Sequence, residues 1–459
     1  MFADMKVSGI LKSPVIGYYI KGQDYRPMTD ITFLQFPLSL IMALVSLAGL
    51  VLLWAFLPQG KFRRFLSGRW LCAASIVVFL VLTAIEGTWG TAMHRNPAMW
   101  TVSAVMMVSL GFTILDSIKA GRGLAGILSH SGLFILFFGA FWGAPDVMDV
   151  RMAVYADHEE NSAWSRDGRI VRLSFKVSLK EFSTEYYEDG ESPRQYSSVL
   201  LVDGREYRTS VNHPCRCRGF RIYQSDFDHE GGEYSVLKLV RDPWIVLVYL
   251  GILLLAAGAV MGLVNCWNSR YMLLVMAVLA VVFTFISVAR INFGTLMPAL
   301  RSLWFIPHLA LYMLAYSSLA LSLIAGAVSL FADNGRKKVS GYGGSGKIKY
   351  GPLSLQLLNT ASALLLLGMM CGAVWAKAAW GDWWTWDAKE CWAAVTWLFT
   401  ILGTHLPLRN PSLQTCPPMI SGRRMAVLAC ILLAFIAMQM AWYGVELLPA
   451  SQASLHTYR

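Results

Sequence analysis

Charged residues are scarce in this chain. Only 15% of its 459 residues are Asp, Glu, Lys or Arg, against 56% hydrophobic residues and a mean hydropathy of +0.50. Soluble domains average about 25% charged residues, so the composition excludes an ordinary soluble enzyme and indicates a polytopic membrane protein. The N-terminal sequence MFADMKVSGILKSP lacks an apolar core followed by a small-residue cleavage site, and no cleavable signal peptide is predicted.

The cysteines do not form a metal-binding pattern. The chain has eight of them, but none is in a CxxC pair and their spacing matches no zinc site. Most lie in or beside apolar segments, where cysteine acts as a small apolar residue. The exceptions are Cys215 and Cys217, which lie one residue apart in a polar part of the chain.

The basic excess is concentrated in four short loops between apolar segments. The loops contain Lys61, Arg63, Arg64 and Arg69; Lys119 and Arg122; Arg336, Lys337, Lys338, Lys347 and Lys349; and Arg409, Arg423 and Arg424. They alternate along the chain, as cytoplasmic loops do under the positive-inside rule. The net charge of +11 is therefore a topology signal rather than evidence of nucleic-acid binding, and both termini are predicted to lie outside.

Apolar segments long enough to cross a bilayer recur along the chain. A spanning helix needs about 20 mostly apolar residues, and about ten segments come close to this length. We predict spans at 38–57, 70–88, 98–115, 123–143, 243–264, 271–290, 304–331, 353–376, 392–406 and 424–443. The predicted fold class is a polytopic α-helical membrane protein of about ten transmembrane helices with a small external β-rich domain.

Residues 144–242 break the membrane pattern. Apolar and polar residues alternate over 171–179, which is typical of a half-buried strand. Segments 196–202 and 205–209 flank Asp203 and Gly204, which predicts a tight β-hairpin. The predicted division is a transmembrane region at 1–143, the external domain at 144–242, a linking helix at 243–264, and a second transmembrane region at 265–459 with an external loop at 376–392.

That external loop is rich in tryptophan. WGDWWTWDAKECW contains Trp380, Trp383, Trp384, Trp386, Asp387, Lys389, Glu390 and Trp392. An aromatic belt at the membrane interface is the alternative interpretation, but a belt needs only about one or two tryptophans per helix end. Five indoles around fixed charges favour a platform for a large planar ligand.

Four of the eight histidines fall into two pairs at two depths. His130 is placed roughly 10 Å into its span at about 1.5 Å per residue, and His405 ends another span, so both lie toward the cytoplasmic side. His308 and His456 lie toward the outside, level with the tryptophan-rich loop. Neutral imidazole is a good axial ligand for haem iron. Each histidine alone could instead make a hydrogen bond between helices.

The tryptophan-rich loop resembles the WWD signature of haem-handling membrane proteins, whose usual form is WGxYWxWDPKExW. It matches at Trp380, Gly381, Trp384, Trp386, Asp387, Lys389, Glu390 and Trp392. It departs at Trp383, Ala388 and Cys391, where the family has Tyr, Pro and Thr. The proline-to-alanine difference removes a rigid turn and predicts a looser loop.

Other segments resemble the two parts of one assembly system. SLWFIPHLALYMLAYSSLAL, with His308, and SLHTYR, with His456, resemble CcsA (ResC). HSGLFILFFGAFWG, from His130, and VNHPCRCRGFRIYQSDFD, from Val211, resemble CcsB (ResB), and this likeness begins near residue 70. The chain is therefore similar to a fused CcsB–CcsA cytochrome c synthase, with a trimmed external domain and about five spans in its CcsA-like half.

The resemblance implies a route for haem b through the inner membrane of a bacterium. His130 and His405 would hold it toward the cytoplasm, and His308 and His456 would hold it at the periplasmic face against the WWD loop. There the two thiols of a CxxCH segment of apocytochrome c would add to the haem vinyl groups. Trp384, Trp386 and Asp387 would position the reactants, and no acid–base residue is assigned. Lys389 or Arg301 would meet the propionates.

Several alternatives stay open at this point. The chain could be a haem transporter or chaperone without synthase activity, or a bis-histidine protein that moves electrons between two membrane haems. Cys215 and Cys217 replace an apolar and an aromatic position of the family motif. They are either a redox pair or simple substitutions, and the strain of a C-x-C disulfide favours free thiols or a labile bond. The sequence does not decide whether a thiol-reducing partner docks on the β domain.

Overall fold

The computed structural model describes residues 36–156, 158–166, 168–190, 192–228, 233–266, 296–336, 350–406 and 421–450. The helices are α1 Leu38–Phe56, α2 Lys61–Leu66, α3 Arg69–Trp89, α4 Pro97–Lys119, α5 Leu124–Gly143, α6 Ile245–Cys266, α7 Phe305–Arg336, α8 Tyr350–Trp380, α9 Ala388–His405 and α10 Ser421–Trp442. The strands are β1 Met148–Tyr155, β2 Glu160–Ser165, β3 Ile170–Tyr186, β4 Pro193–Val202, β5 Arg205–Ser210, β6 Cys215–Cys217, β7 Phe220–Phe227 and β8 Tyr234–Arg241.

Within the described residues, eight helices are long and apolar enough to cross a membrane. The predicted span 392–406 corresponds to α9, which is less apolar because Lys389, Glu390 and His405 lie at its ends. The predicted span 271–290 lies outside the described residues. The eight helices, together with a separate antiparallel sheet, confirm the predicted fold class of a polytopic membrane protein with a small β domain.

The eight strands form one antiparallel sheet in the order β5-β4-β3-β2-β1-β8-β7-β6. Strand β3 buries Val171, Leu173, Phe175, Val177 and Leu179 on one face, as its alternating sequence predicts. The predicted hairpin is also present: Val202 pairs with Arg205 across Asp203 and Gly204. Both turn residues have positive φ, of 47° and 79°, as a two-residue hairpin turn requires.

The sheet defines one end of the helical region. The chain enters it from the C-terminal end of α5 and leaves it into the N-terminal end of α6. We call this end the sheet side and the opposite end the far side. Because α7 begins and α8 ends on the sheet side, the tryptophan-rich loop between α8 and α9 also lies there.

Small residues let helices approach closely where the candidate site is built. A Cβ at Gly132 of α5 would lie 2.4 Å from the backbone nitrogen of Leu255 of α6. A Cβ at Gly87 of α3 would lie 2.6 Å from the Cβ of Cys391 of α9. Small residues serve this purpose in membrane helices because packing, not the hydrophobic effect, drives their association. The N-terminal helices are therefore packed directly against the helix that follows the tryptophan-rich loop.

Candidate functional site

Hydrogen bonds at the start of α9 fix the tryptophan-rich loop. Asp387 is the N-cap of α9, and its Oδ1 accepts the backbone N–H of Glu390 at 2.8 Å. The Oε2 of Glu390 accepts the backbone N–H of Thr385 at 2.6 Å. Such side chains satisfy donors that a helix start leaves unpaired. Ala388, which stands where the family has proline, follows the cap and is buried. The hydrogen bonds of Asp387 and Glu390 fix the start of α9 without that proline.

Trp386 lies in this loop with a φ of 62°, a left-handed conformation that is uncommon for a bulky residue. Its indole stacks on the imidazole of His94, with ring centroids 5.4 Å apart and planes inclined by 10°. His94 belongs to the 3₁₀ turn Met93–Arg95 after α3. Its Nδ1 pairs with Oε1 of Glu86, and its backbone N–H donates to Oε2 at 2.9 Å.

No role is predicted for His94 or Glu86 from the sequence. Glu86 is only 3% exposed although it lies in the last turn of a membrane helix. A carboxylate inside a predicted span is costly unless it is paired, and such residues are usually functional. Glu86 is the single acidic residue in the predicted span 70–88. Its presence there is the sequence feature that indicates a functional residue. Its histidine partner eight residues later could be recognised only from the fold.

Two basic side chains of the β domain, buried Lys238 and exposed Arg166, tie the first residues of the loop to the sheet. Lys238 of β8 is 4% exposed and donates to the Asp382 carboxylate at 2.7 Å and to the Trp380 carbonyl at 2.9 Å. Arg166 donates to Asp382 at 2.6 Å and to Asp149 at 2.7 Å. Because burying a charge is tolerated only when it is paired, this cluster couples the position of the loop to the β domain.

Removing Lys238 should therefore destabilise the contact between loop and sheet. In Lys238→Met the Asp382 carboxylate and the Trp380 carbonyl lose a buried donor while Arg166 still pairs with Asp382, so the cost should be about 1–3 kcal/mol. We expect a lower midpoint of thermal unfolding in detergent. The matched control is Lys176→Met, since Lys176 pairs with Glu159 on the surface at 2.9 Å and exposed pairs contribute little. Equal midpoints for the two variants would contradict the structural role of Lys238.

A cavity of about 230 Å³ lies beside the loop on the sheet side. Its walls come from α7, α8, α9, α10 and the loop, and include His308, Tyr312, Trp375, Trp383, Trp384 and Lys389. Most of these side chains are aromatic, and the chargeable groups among the lining residues are few. The cavity therefore suits a ligand with a flat apolar body and a small number of polar groups.

His308 is oriented by the neighbouring helix. Its Nδ1 lies 2.9 Å from the carbonyl oxygen of Gly368 of α8. Because a carbonyl can only accept, Nδ1 carries the proton and Nε2 carries the lone pair of the neutral ring. A Cβ at Gly372 would come within 2.7 Å of the imidazole. The ring thus packs directly on the α8 backbone, in a place that only glycine leaves open.

Several buried indole N–H groups in the loop have no hydrogen-bond acceptor in the described part of the chain. They belong to Trp383, Trp384 and Trp392. A buried unpaired donor costs about 1–3 kcal/mol, and native proteins contain few of them. Trp383 and Trp384 also line the cavity. Unsatisfied donors beside a cavity fit a ligand that brings its own acceptors, such as a carboxylate.

His130 and His405 meet near the far side, with ring centroids 6.3 Å apart. The Nδ1 of His130 lies 2.6 Å from the Gly126 carbonyl oxygen, and that of His405 lies 2.9 Å from the Ile401 carbonyl oxygen. Both rings therefore keep the Nε2 lone pair for a ligand. Two nitrogen–metal bonds of about 2 Å and the radii of the two rings add up to a similar centroid separation.

The remaining predicted site residues divide as follows. His456 lies outside the described residues, so its pairing with His308 stays a prediction. Lys389 lines the cavity. Arg301 instead lies 6.0 Å from the ring centroid of Tyr187 and donates to the Arg194 carbonyl oxygen at 3.4 Å. Of the two cations proposed for the propionates, Lys389 is thus the one that the structure brings to the cavity.

Cys215 and Cys217 occupy alternate positions of β6 and share one face of the sheet. Both are free thiols that pack against the apolar core of the β domain. Burial, reinforced by the neighbouring Cys217, raises the pKa of Cys215 to about 11. Because the thiolate is the reactive form, this environment favours a packing role over a redox role.

Cys215 should accordingly react slowly with iodoacetamide at neutral pH. The rate should rise as the pH approaches 11, where the thiolate forms. Alkylation followed by peptide mass spectrometry measures this, and the same protein unfolded in detergent and urea is the control with an accessible thiol. Rapid modification of the folded protein at neutral pH, or a recovered Cys215–Cys217 disulfide, would contradict the packing role.

Together the helices, the sheet and the histidine–tryptophan cavity define a multi-pass membrane protein with an aromatic cavity at its sheet side. Residues 243–451 match the family described as cytochrome C assembly protein, and residues 120–233 match the ResB-like family. The chain therefore carries both domains in one polypeptide, consistent with a fused CcsB–CcsA protein of cytochrome c biogenesis.

Curated relatives support the C-terminal assignment. The cytochrome c biogenesis protein CcsA of Prochlorococcus marinus strain MIT 9312 is 32% identical over 188 residues, which cover 36% of this chain and 57% of that protein. CcsA of Synechococcus sp. strain RCC307 is 30% identical over 192 residues, which cover 36% of this chain and 58% of that protein. The chain thus spans less than two thirds of the length of either relative.

Proposed function

We propose that this protein carries haem b across the membrane and attaches it to CxxCH segments of apocytochrome c through two thioether bonds. The observation that carries the proposal is the cavity on the sheet side, where His308 and the indoles of the WWD loop line one space. It occurs in a chain that combines the two domains of a cytochrome c assembly system. Haem handling follows from the family, and the chemistry below is our inference.

Haem matches the character of this cavity. Its porphyrin is flat and apolar, so indoles suit its face, and its two propionates are anions that accept hydrogen bonds. We assign His308 as an axial ligand through Nε2, the ring nitrogen that does not face the Gly368 carbonyl. Lys389 and the unpaired N–H groups of Trp383 and Trp384 supply the donors. His456 is proposed as the second axial ligand from the sequence alone.

The pair on the far side fits an entry site. His130 and His405 come from α5 and α9, helices of the ResB-like and the cytochrome c assembly regions respectively. Their 6.3 Å separation lets both imidazoles bind one iron. The positive-inside rule puts this side toward the cytoplasm, where haem is made. Haem would pass from this pair to the cavity on the sheet side, which we place outside.

Attachment is addition of each thiol across a vinyl double bond. A C–S bond forms, the C=C π bond breaks, and the thiol proton ends on the terminal vinyl carbon, so the addition needs no oxidant. The thiols must be reduced and the iron ferrous for the reaction to proceed. The contribution of the protein is to hold the haem at fixed ligands and to exclude competing oxidation. We place the protein in a bacterial inner membrane with the sheet side facing the periplasm.

Co-expression with a periplasmic CxxCH reporter tests the proposal in cells that lack their own cytochrome c assembly system. We expect haem that stays on the reporter after denaturation. A reporter in which both cysteines are alanine is the control for non-covalent haem. Haem on this protein without any on the reporter would show a carrier rather than a synthase. Two haems that stay bound to this protein, exchange electrons and never appear on the reporter would show an electron-transfer protein.

A further inference from the structure

The structure brings a carboxylate–imidazole pair to the WWD loop that neither the resemblance nor the proposed ligand set uses. Glu86 ends a membrane helix of the N-terminal region, and His94 follows it on a short turn. Their side chains are joined by a hydrogen bond through Nδ1 of His94. His94 also stacks on Trp386, whose ring lies 6.2 Å from that of the cavity residue Trp384.

This arrangement leaves one nitrogen of His94 available for chemistry. The carboxylate of Glu86 accepts at Nδ1, so that nitrogen carries the proton and Nε2 carries the lone pair. Nε2 has no hydrogen-bond partner among the residues that the structure describes. The side chain of His94 is 28% exposed while that of Glu86 is 3% exposed. A buried acid that orients a half-exposed imidazole is the usual geometry of a general base.

Further charged groups lie on the turn of His94, at the start of α9 and on the turn after α10. Asp387 and Glu390 lie at the start of α9, close enough to Cys391 for their charges and that of Glu86 to act on it. Arg95 is the exposed neighbour of His94 on its own turn. Glu446 lies exposed on the 3₁₀ turn Gly444–Leu447 that follows α10.

We propose that His94, held by Glu86, is the proton shuttle for thioether formation, an inference that rests on the proposed function. Nε2 takes the proton from a cysteine Sγ of the CxxCH segment, and the thiolate forms a C–S bond with the vinyl carbon attached to the porphyrin. The electron pair of the broken π bond moves to the terminal carbon, which takes the same proton back from the imidazolium. Atoms and electrons balance without a co-reactant.

Two variants test the base while keeping the contacts of the loop. His94→Phe keeps an aromatic ring against Trp386 but has no proton acceptor, and Glu86→Gln keeps a hydrogen-bond acceptor for Nδ1 without the charge. We expect attachment to fall about 100-fold in His94→Phe at neutral pH, with an unchanged amount and spectrum of bound haem. Glu86→Gln should lie between this variant and the wild type. His158→Phe, a half-exposed histidine of the β domain, is the matched control.

The pH profile separates a base from a packing residue. A free cysteine thiol ionises at about pH 8.5 without help, so the deficit of His94→Phe should shrink as the pH rises through that value. A deficit that is constant with pH would overturn the base role, as would a wild-type rate in His94→Phe. Loss of bound haem with an altered axial spectrum would identify His94 as an iron ligand instead. A wild-type protein that attaches no haem would overturn the proposed function and this inference together.

Discussion

Replacing His308 by alanine should remove most of the haem from the cavity on the sheet side and lower thioether formation on the order of 100-fold. Loss of a ligand or of its oriented partner typically costs at least 10–100-fold in metal sites. Added imidazole should restore part of the bound haem, because it fills the vacated ligand position as a neutral nitrogen donor. Optical spectra of the purified protein measure the haem, and His456→Ala should behave in the same way.

A second substitution tests whether the position of His308, and not only its presence, matters. Gly372→Ala puts a methyl group within 2.7 Å of the His308 ring and should displace it. Gly351→Ala is the matched control on the same helix, because no atom lies within 4 Å of the added Cβ. We expect haem loss in Gly372→Ala alone. Normal haem content in both His308→Ala and Gly372→Ala would show that this cavity is not the haem site.

The His130→Ala/His405→Ala double variant should block haem earlier on its route. The two rings form one pair near the far side, so losing both removes the proposed entry ligands. Haem made inside the cell should then fail to reach the cavity beside the WWD loop, although His308 is intact. Attachment to a reporter should fall on the order of 100-fold. Haem occupancy of each site in the purified variants is the measurement.

Rescue of the entry site has a pH dependence with a defined sign. Imidazole should restore haem to either single variant, and less so at acidic pH, because protonated imidazole has no lone pair for iron. Full loading of the sheet-side cavity in the double variant, with haem supplied only from inside the cell, would contradict the route. The two histidines would then be ordinary packing residues of the helices.

Elements with strong local patterns could be read from the sequence. Strand β3 follows the alternation of 171–179, and the turn at Asp203 and Gly204 follows from two residues that tolerate positive φ. The spans follow from apolar length alone. The WWD loop stood out by its composition, and its start at α9 follows from a capping pattern in which Asp387 is three residues before Glu390.

Contacts between distant parts of the chain could not be predicted in this way. Lys238 and Asp382 are 144 residues apart, and nothing local to either predicts that they form a buried pair. The stacking of His94 on Trp386 likewise depends on how α3 packs against α9. These long-range contacts decide which charged residues reach the site. They explain why Arg301 looked suitable for the propionates from the sequence but lies against Tyr187.

The most direct test of the central claim uses purified components. The haem-loaded protein in detergent is mixed with a reduced peptide that contains CxxCH, under a reductant and without oxygen. We predict a peptide whose mass includes haem after denaturation, and a shift of the reduced haem spectrum that accompanies loss of the vinyl groups. A peptide with both cysteines replaced by alanine should acquire neither. If denaturation releases all of the haem from both the CxxCH peptide and the protein, no thioether bond has formed. That result would contradict the proposed synthase activity.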